Sequence, residues 1–66
     1  MKVIIRLVDG YTITTHSVFW IRQDQKILNA IKLLKKQQKT FYVSFFDHKG
    51  KYRSSMWFEN GKLTKM

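Results

Sequence analysis

Hydrophobic and polar residues alternate along the first fifteen positions and predict a β-hairpin. Between Lys2 and Val8, alternate apolar residues share one side of an extended chain, namely Val3, Ile5 and Leu7. Asp9-Gly10 follows, and this dipeptide tolerates the positive φ angles of a type I′ turn. The β-prone run from Tyr11 to Thr15 comes directly after the turn. We therefore expect two antiparallel strands joined by a tight turn.

The alternation fails from Ser17 to Gln23, and a helical spacing begins after it. The apolar residues 18–21 either extend the second strand past a bulge or form a connector that lies against the core. Asp24 is a residue type that caps helix N-termini. Apolar residues then recur every three or four positions, at Ile27, Leu28, Ile31 and Leu34. This spacing predicts one amphipathic helix that ends near Gln38.

The second half of the chain predicts a second pair of strands. Thr40 to Phe46 is rich in aromatic and β-branched residues, and a further strand is expected from Lys51 to about Phe58, after a turn at residues 47–50. Asn60-Gly61 is another hairpin-type turn. It would let Lys62 to Thr64 fold back as a short fifth strand, or the domain simply ends there.

The predicted element order, β-β-α-β-β, indicates an α+β fold. A chain of 66 residues has room for one hydrophobic core, so residues 1–66 are expected to form a single domain. The simplest arrangement is one antiparallel sheet of four or five strands with the helix packed on one face.

The charge of the chain changes this picture most. Thirteen Lys and Arg residues stand against four acids, which gives a formal net charge of +9. Self-repulsion of this size favours a polyanionic partner, which could be nucleic acid, an acidic protein surface or an anionic membrane, although solubility alone is an alternative explanation. A membrane is the weakest of these, because the apolar helix residues are needed to cover the sheet.

Catalysis and metal binding find little support in the sequence. The absence of cysteine excludes disulfides and thiolate sites, and it is compatible with the cytoplasm that we expect. His16 and His48 have no partners at metal-ligand spacing, apart from Asp47 next to His48. The serines lack a nucleophile elbow, and the four acids are scattered. We expect no enzyme activity, no metal and no cofactor.

One face of the predicted sheet combines aromatic and basic residues. If Phe41, Val43 and Phe45 face the helix, and Tyr52, Met56 and Phe58 also face the core, the other face presents Arg6, Tyr42, Phe46, Arg53 and Trp57. Exposed aromatic residues among cations are typical of a platform for single-stranded nucleic acid. The same residue types also anchor protein interfaces, including homodimers. A register error of one residue would exchange the two faces.

The predicted helix carries the second group of basic residues. This group consists of Lys26, Lys32, Lys36 and Lys39, with Arg22 upstream and Lys35 at its edge. A solvated helix face explains it equally well, and the lysines near the C-terminus also complement the helix dipole. Ten of the thirteen basic residues are Lys, which binds phosphate as a point charge. We therefore expect binding to the phosphate backbone of nucleic acid, with little base specificity.

Two functional hypotheses remain. The first is a small non-catalytic accessory protein that binds DNA or RNA. The second is a protein-binding module or inhibitor that docks on an acidic or nucleic-acid-binding surface, or that forms a homodimer through its sheet. The chain has no ribonucleoprotein aromatic motif, no Gly-x-x-Gly loop and no zinc-finger spacing. In composition alone it resembles short lysine-rich accessory proteins of bacterial viruses and mobile elements.

Overall fold

In the part of the chain that the structure describes, five strands and one helix account for most residues, as the hydrophobic pattern predicts. The computed structural model describes residues 1–20 and 24–65. The elements are β1 (Lys2–Asp9), β2 (Thr12–Trp20), α1 (Asp24–Lys36), β3 (Phe41–Phe46), β4 (Tyr52–Glu59) and β5 (Lys62–Lys65). The strands form one antiparallel sheet in the order β2-β1-β3-β4-β5. The predicted α+β fold is confirmed, and the short fifth strand is present.

The first hairpin is confirmed, but its turn differs from the predicted one. Asp9 is still part of β1 and pairs with Thr12, so the two central turn residues are Gly10 and Tyr11. Of these two, only Gly10 has a positive φ angle, at 61°. A type I′ turn needs positive φ at both central residues, whereas a type II′ turn needs it only at the first. The observed turn therefore matches type II′.

The irregular segment after Ser17 continues β2 as far as Trp20. Ile5 pairs with Ser17 while the next residue, Arg6, pairs with Thr15, which leaves His16 as an extra residue in β2. An extra residue of this kind is a β-bulge, and it changes which side chains lie on each face of the strand. The first of the two alternatives is thus correct for residues 18–20, while Ile21 lies outside the described residues.

The core lies between α1 and one face of the sheet. Its buried side chains are Val3, Ile5, Leu34, Phe41, Val43 and Phe58. Phe41 and Phe58 stack with their ring centroids 4.5 Å apart and their planes 7° from parallel. Five of the six buried side chains come from β1, β3 and β4, and Leu34 comes from α1, so the centre of the sheet packs against the helix.

Among the described residues, no helix has the length and apolar character required to cross a membrane.

The C-terminal end of α1 is closed by a Schellman motif. Gln38 takes a positive φ of 57°, its N–H donates to the carbonyl of Lys35, and the N–H of Lys39 donates to the carbonyl of Leu34. The helix therefore ends at Lys36, two residues before the predicted position. The N–H of Gly61 donates to the carbonyl of Lys39 at 2.9 Å, which joins the β4–β5 turn to this end of the helix.

Candidate functional site

The face of the sheet opposite α1 carries no helix in the described part of the chain, and we call it the open face. Directly paired residues on neighbouring strands share a face, so the register gives rows of side chains across β2, β1, β3 and β4. The first row is Trp20, Lys2, Phe46 and Tyr52. The middle row is Val18, Ile4, Ser44 and Ser55, and the third row is Thr15, Arg6, Tyr42 and Trp57.

The first row holds a lysine between aromatic rings. The Lys2 ammonium nitrogen lies 5.1 Å from the centroid of the Trp20 ring and 5.5 Å from that of Phe46. Tyr52 meets Phe46 edge-on, with the ring centroids 5.9 Å apart. Trp20 and Tyr52, at the two ends of the row, are 60% and 53% exposed. Cation–π attraction thus holds a cation in place beside open aromatic surfaces.

The third row repeats this combination with an arginine. Tyr42 and Trp57 stack across β3 and β4 with their centroids 5.9 Å apart and their planes 15° from parallel. An Nη1–H of Arg6 donates to the Tyr42 hydroxyl at 3.5 Å, a long hydrogen bond that aligns the guanidinium with the tyrosine. A planar cation therefore adjoins a stacked aromatic pair.

We call the strip between the first and third rows the trough. Its floor, the middle row, has small side chains at Ser44 and Ser55, and both Ile4 and Ser44 are buried. The Tyr52 hydroxyl donates to the Ser55 hydroxyl at 2.9 Å, which holds that ring against the edge of the trough. Lys2 and Arg6 are four residues apart on β1, so the two rows are about 13 Å apart at the spacing of an extended strand.

Tyr52 was expected in the core, and this prediction is wrong. Phe45 pairs with Ser54 while Phe46 pairs with Tyr52, so Arg53 is an extra residue in β4. This bulge reverses the alternation at its N-terminal side and places Tyr52 on the open face. Met56 and Phe58, which follow the bulge, contact the core as predicted.

The structure brings together four of the five predicted residues of this face: Arg6, Tyr42, Phe46 and Trp57. The fifth, Arg53, lies at the bulge and is exposed. Sequence reasoning missed Lys2, Trp20 and Tyr52 as site residues. Lys2 could have been found, because it lies four residues before Arg6 on β1 and therefore on the same face of the strand. Trp20 and Tyr52 could not, because each is separated from its strand's regular pattern by a bulge.

The helix lysines lie on the opposite side of the molecule from the open face. Lys26, Lys32 and Lys36 are exposed on α1, and Lys39 is exposed just beyond its end. Lys32 and Lys36 are one helical turn apart, while Lys26 is rotated roughly 120° from Lys32 at about 100° per residue. The predicted Arg22 lies outside the described residues. A ligand in the trough would therefore not reach the helix lysines.

The β3–β4 turn forms a cleft beside the first row. One Asp47 carboxylate oxygen accepts hydrogen bonds from the backbone N–H groups of Lys49 and Lys51, both at 2.9 Å. The bond from Lys51 is the main reason why the pKa of Asp47 lies below its ordinary value of 3.8, and it outweighs the raising effect of desolvation. The Lys49 hydrogen bond and the charges of His48 and Arg53 lower the pKa further. The cleft has a volume of about 440 Å³.

The described residues contain no group of three or more His, Asp or Glu side chains that could hold a metal ion. Comparison of the chain with models of protein families, with curated proteins and with solved structures finds no match. The open face and the cleft are therefore interpreted from their own chemistry.

Proposed function

We propose that the chain binds single-stranded nucleic acid along the trough of the open face, as a small non-catalytic accessory protein of the cytoplasm. The observation that carries the proposal is the alternation of cations and aromatic rings on both sides of the trough. Lys2 lies between Trp20 and Phe46 on one side, and Arg6 adjoins the Tyr42–Trp57 stack on the other.

Single strands suit this surface better than duplexes do. Unpaired bases can stack on exposed aromatic rings, and each such contact is worth about 1 to 3 kcal/mol. Bases within a duplex keep their faces covered by their neighbours. In the described part of the chain, the open face also presents no helix or β-ribbon to enter a major groove.

Base specificity is expected to be weak. Reading of base edges requires exposed hydrogen-bonding side chains at fixed positions. The polar group at the centre of the trough, Ser44, is only 8% exposed. Lys2 and Arg6 are both held by aromatic partners and can attract phosphates of any sequence.

The proposal is tested by fluorescence anisotropy with a labelled decathymidylate between 50 and 200 mM salt. Lys2 and Arg6 lie on the open face, and Arg53 is exposed at the bulge of β4. If each neutralises one phosphate, the log–log salt dependence should have a slope of about −2 for a single strand. Binding to duplex DNA of the same length should be weaker, and an RNA decamer would show whether the sugar matters.

Charge-matched variants locate the binding surface. Arg6→Gln should lower the affinity and make the slope shallower by about 0.7. Lys32→Gln removes the same charge from the opposite side of the molecule and should change the affinity far less. Tyr52→Ala, at a half-exposed ring, should weaken binding by about 1 to 3 kcal/mol. Equal effects of Arg6→Gln and Lys32→Gln would show that only net charge matters and would refute the trough.

A protein partner, including a second copy of this chain, is the alternative, and the edge strand β2 favours it. Residues 7–21 contain no Lys or Arg, although the whole chain has thirteen. Ile13, Val18 and Trp20 on β2 are 56%, 42% and 60% exposed. Uncharged, exposed edge strands pair readily with other chains. Light scattering that shows a dimer, together with no binding of the decathymidylate, would favour this alternative.

A further inference from the structure

The cleft beside the first row is built from three separate parts of the chain. Lys2 comes from the start of β1, Trp20 from the end of β2, and His48 and Lys49 from the β3–β4 turn. Its volume of about 440 Å³ falls within the range of small-molecule sites in proteins. It lies outside the trough, because the first row separates the two.

One wall of the cleft is an aromatic ring with a cation fixed beside it. The Lys2 ammonium lies over the Trp20 ring at 5.1 Å, and its second aromatic neighbour, Phe46, restricts it further. The Trp20 ring is 60% exposed, which leaves much of its surface free for a planar ligand. A planar group stacked on this ring would therefore have a positive charge next to it.

The opposite wall is the turn, and it adds a second cation. Lys49 is held in the turn by the hydrogen bond from its N–H to the Asp47 carboxylate. The same carboxylate oxygen also accepts the Lys51 N–H, so the turn itself satisfies the acid that lines the cleft. Two lysines thus stand against one carboxylate that is already hydrogen-bonded, which leaves the cleft attractive to an anion.

We infer that this cleft binds a phosphorylated nucleoside, with the base stacked on Trp20 and the phosphate held by Lys2 and Lys49. The ligand would be either the terminal nucleotide of a strand bound in the trough or a free nucleotide. The first source rests on the proposed function, whereas the second does not.

The test uses two-dimensional ¹H–¹⁵N NMR of the full chain, in which the two tryptophans give separate indole resonances. Titration with adenosine 5′-monophosphate should shift the Trp20 indole and the Lys49 and Gly50 amides and leave the Trp57 indole in place. Adenosine alone and inorganic phosphate alone should each bind at least tenfold more weakly. The Lys49→Gln variant should bind the nucleotide three- to tenfold more weakly, and Lys32→Gln should match the unmodified chain.

Two hexathymidylates, with and without a 5′-phosphate, identify the source of the ligand. Tighter binding of the phosphorylated strand, with the gain lost in Lys49→Gln, assigns the cleft to strand ends. Equal binding of the two strands, with the nucleotide still shifting Trp20, assigns it to a free nucleotide.

An unmoved Trp20 indole, or equal losses in Lys49→Gln and Lys32→Gln, would overturn the inference. In that case, shifts of Trp57 by the unphosphorylated strand would show that the trough still binds. Conversely, the nucleotide could shift the Trp20 indole resonance while neither thymidylate strand binds. That result would refute the proposed function and support nucleotide binding in the cleft.

Discussion

Replacement of Gly61 by alanine should destabilise the fold far more than the same change at Gly50. Both glycines have nearly the same backbone conformation, with φ angles of 82° and 80°. An added Cβ at Gly50 would meet nothing within 4 Å, whereas at Gly61 it would lie 2.5 Å from the carbonyl oxygen of Lys35. The pair therefore separates the cost of the backbone conformation from the cost of the contact with α1.

The expected loss in the free energy of unfolding follows from three contributions. An alanine in the left-handed region costs about 1 to 2 kcal/mol, and this applies at both positions. At Gly61 the hairpin must also move away from the helix end, which costs about 1 to 3 kcal/mol for an overpacked site. Movement weakens the Gly61 N–H bond to the Lys39 carbonyl, which is worth about 1 kcal/mol. Gly61→Ala should therefore exceed Gly50→Ala by about 2 to 4 kcal/mol.

This difference is large for so small a protein. A chain of this length has a free energy of unfolding of about 3 to 10 kcal/mol. Urea unfolding followed by tryptophan fluorescence and circular dichroism would measure both variants against the unmodified chain. A Gly61→Ala chain that fails to fold, beside a folded Gly50→Ala chain, is the same result in its extreme form. A difference below about 0.5 kcal/mol would refute the close approach of the β4–β5 turn to α1.

Two further predictions concern the turns. Because the pKa of Asp47 is lowered on folding, its contribution to stability is present above the ordinary value of 3.8 and is lost as the pH falls through the folded value. Melting temperatures between pH 2 and 7 should thus fall less steeply at the acid end for Asp47→Asn, and identical slopes would contradict this. Gln38→Gly, at a φ of 57°, should raise stability by about 1 kcal/mol. Gln37→Gly should lower it instead, and equal melting temperatures of the two variants would argue against the helix cap.

The hydrophobic pattern was sufficient to predict the elements, because burial of one face imposes a period on the sequence. The alternation of Val3, Ile5 and Leu7, and the spacing of Ile27, Ile31 and Leu34, correspond to the observed core. These residues satisfy local preference and long-range packing together.

The candidate site was less predictable, because it depends on bulges. Nothing in the types of His16 and Arg53 marks them as extra residues, since a bulge depends on the pairing of two strands. Each bulge reverses the face of the residues beyond it, which moved Tyr52 from the predicted core to the open face. Trp20 joined the first row for the same reason. The alternation of apolar and polar residues therefore predicts the face on which a side chain lies only as far as the next bulge.

The central position of β1 has a consequence for how the trough is assembled during folding. The hairpin β1–β2 and the hairpin β3–β4 are local in sequence, whereas Lys2 pairs with Phe46, 44 residues away. Contacts this distant in sequence are slow to form, because closing a long loop costs chain entropy first. Each of the three rows takes two residues from each hairpin. The pairing of β1 with β3 therefore completes all three rows at once. The proposed single strand would bind only the joined hairpins, so by mass action it would stabilise the folded chain against the unfolded one.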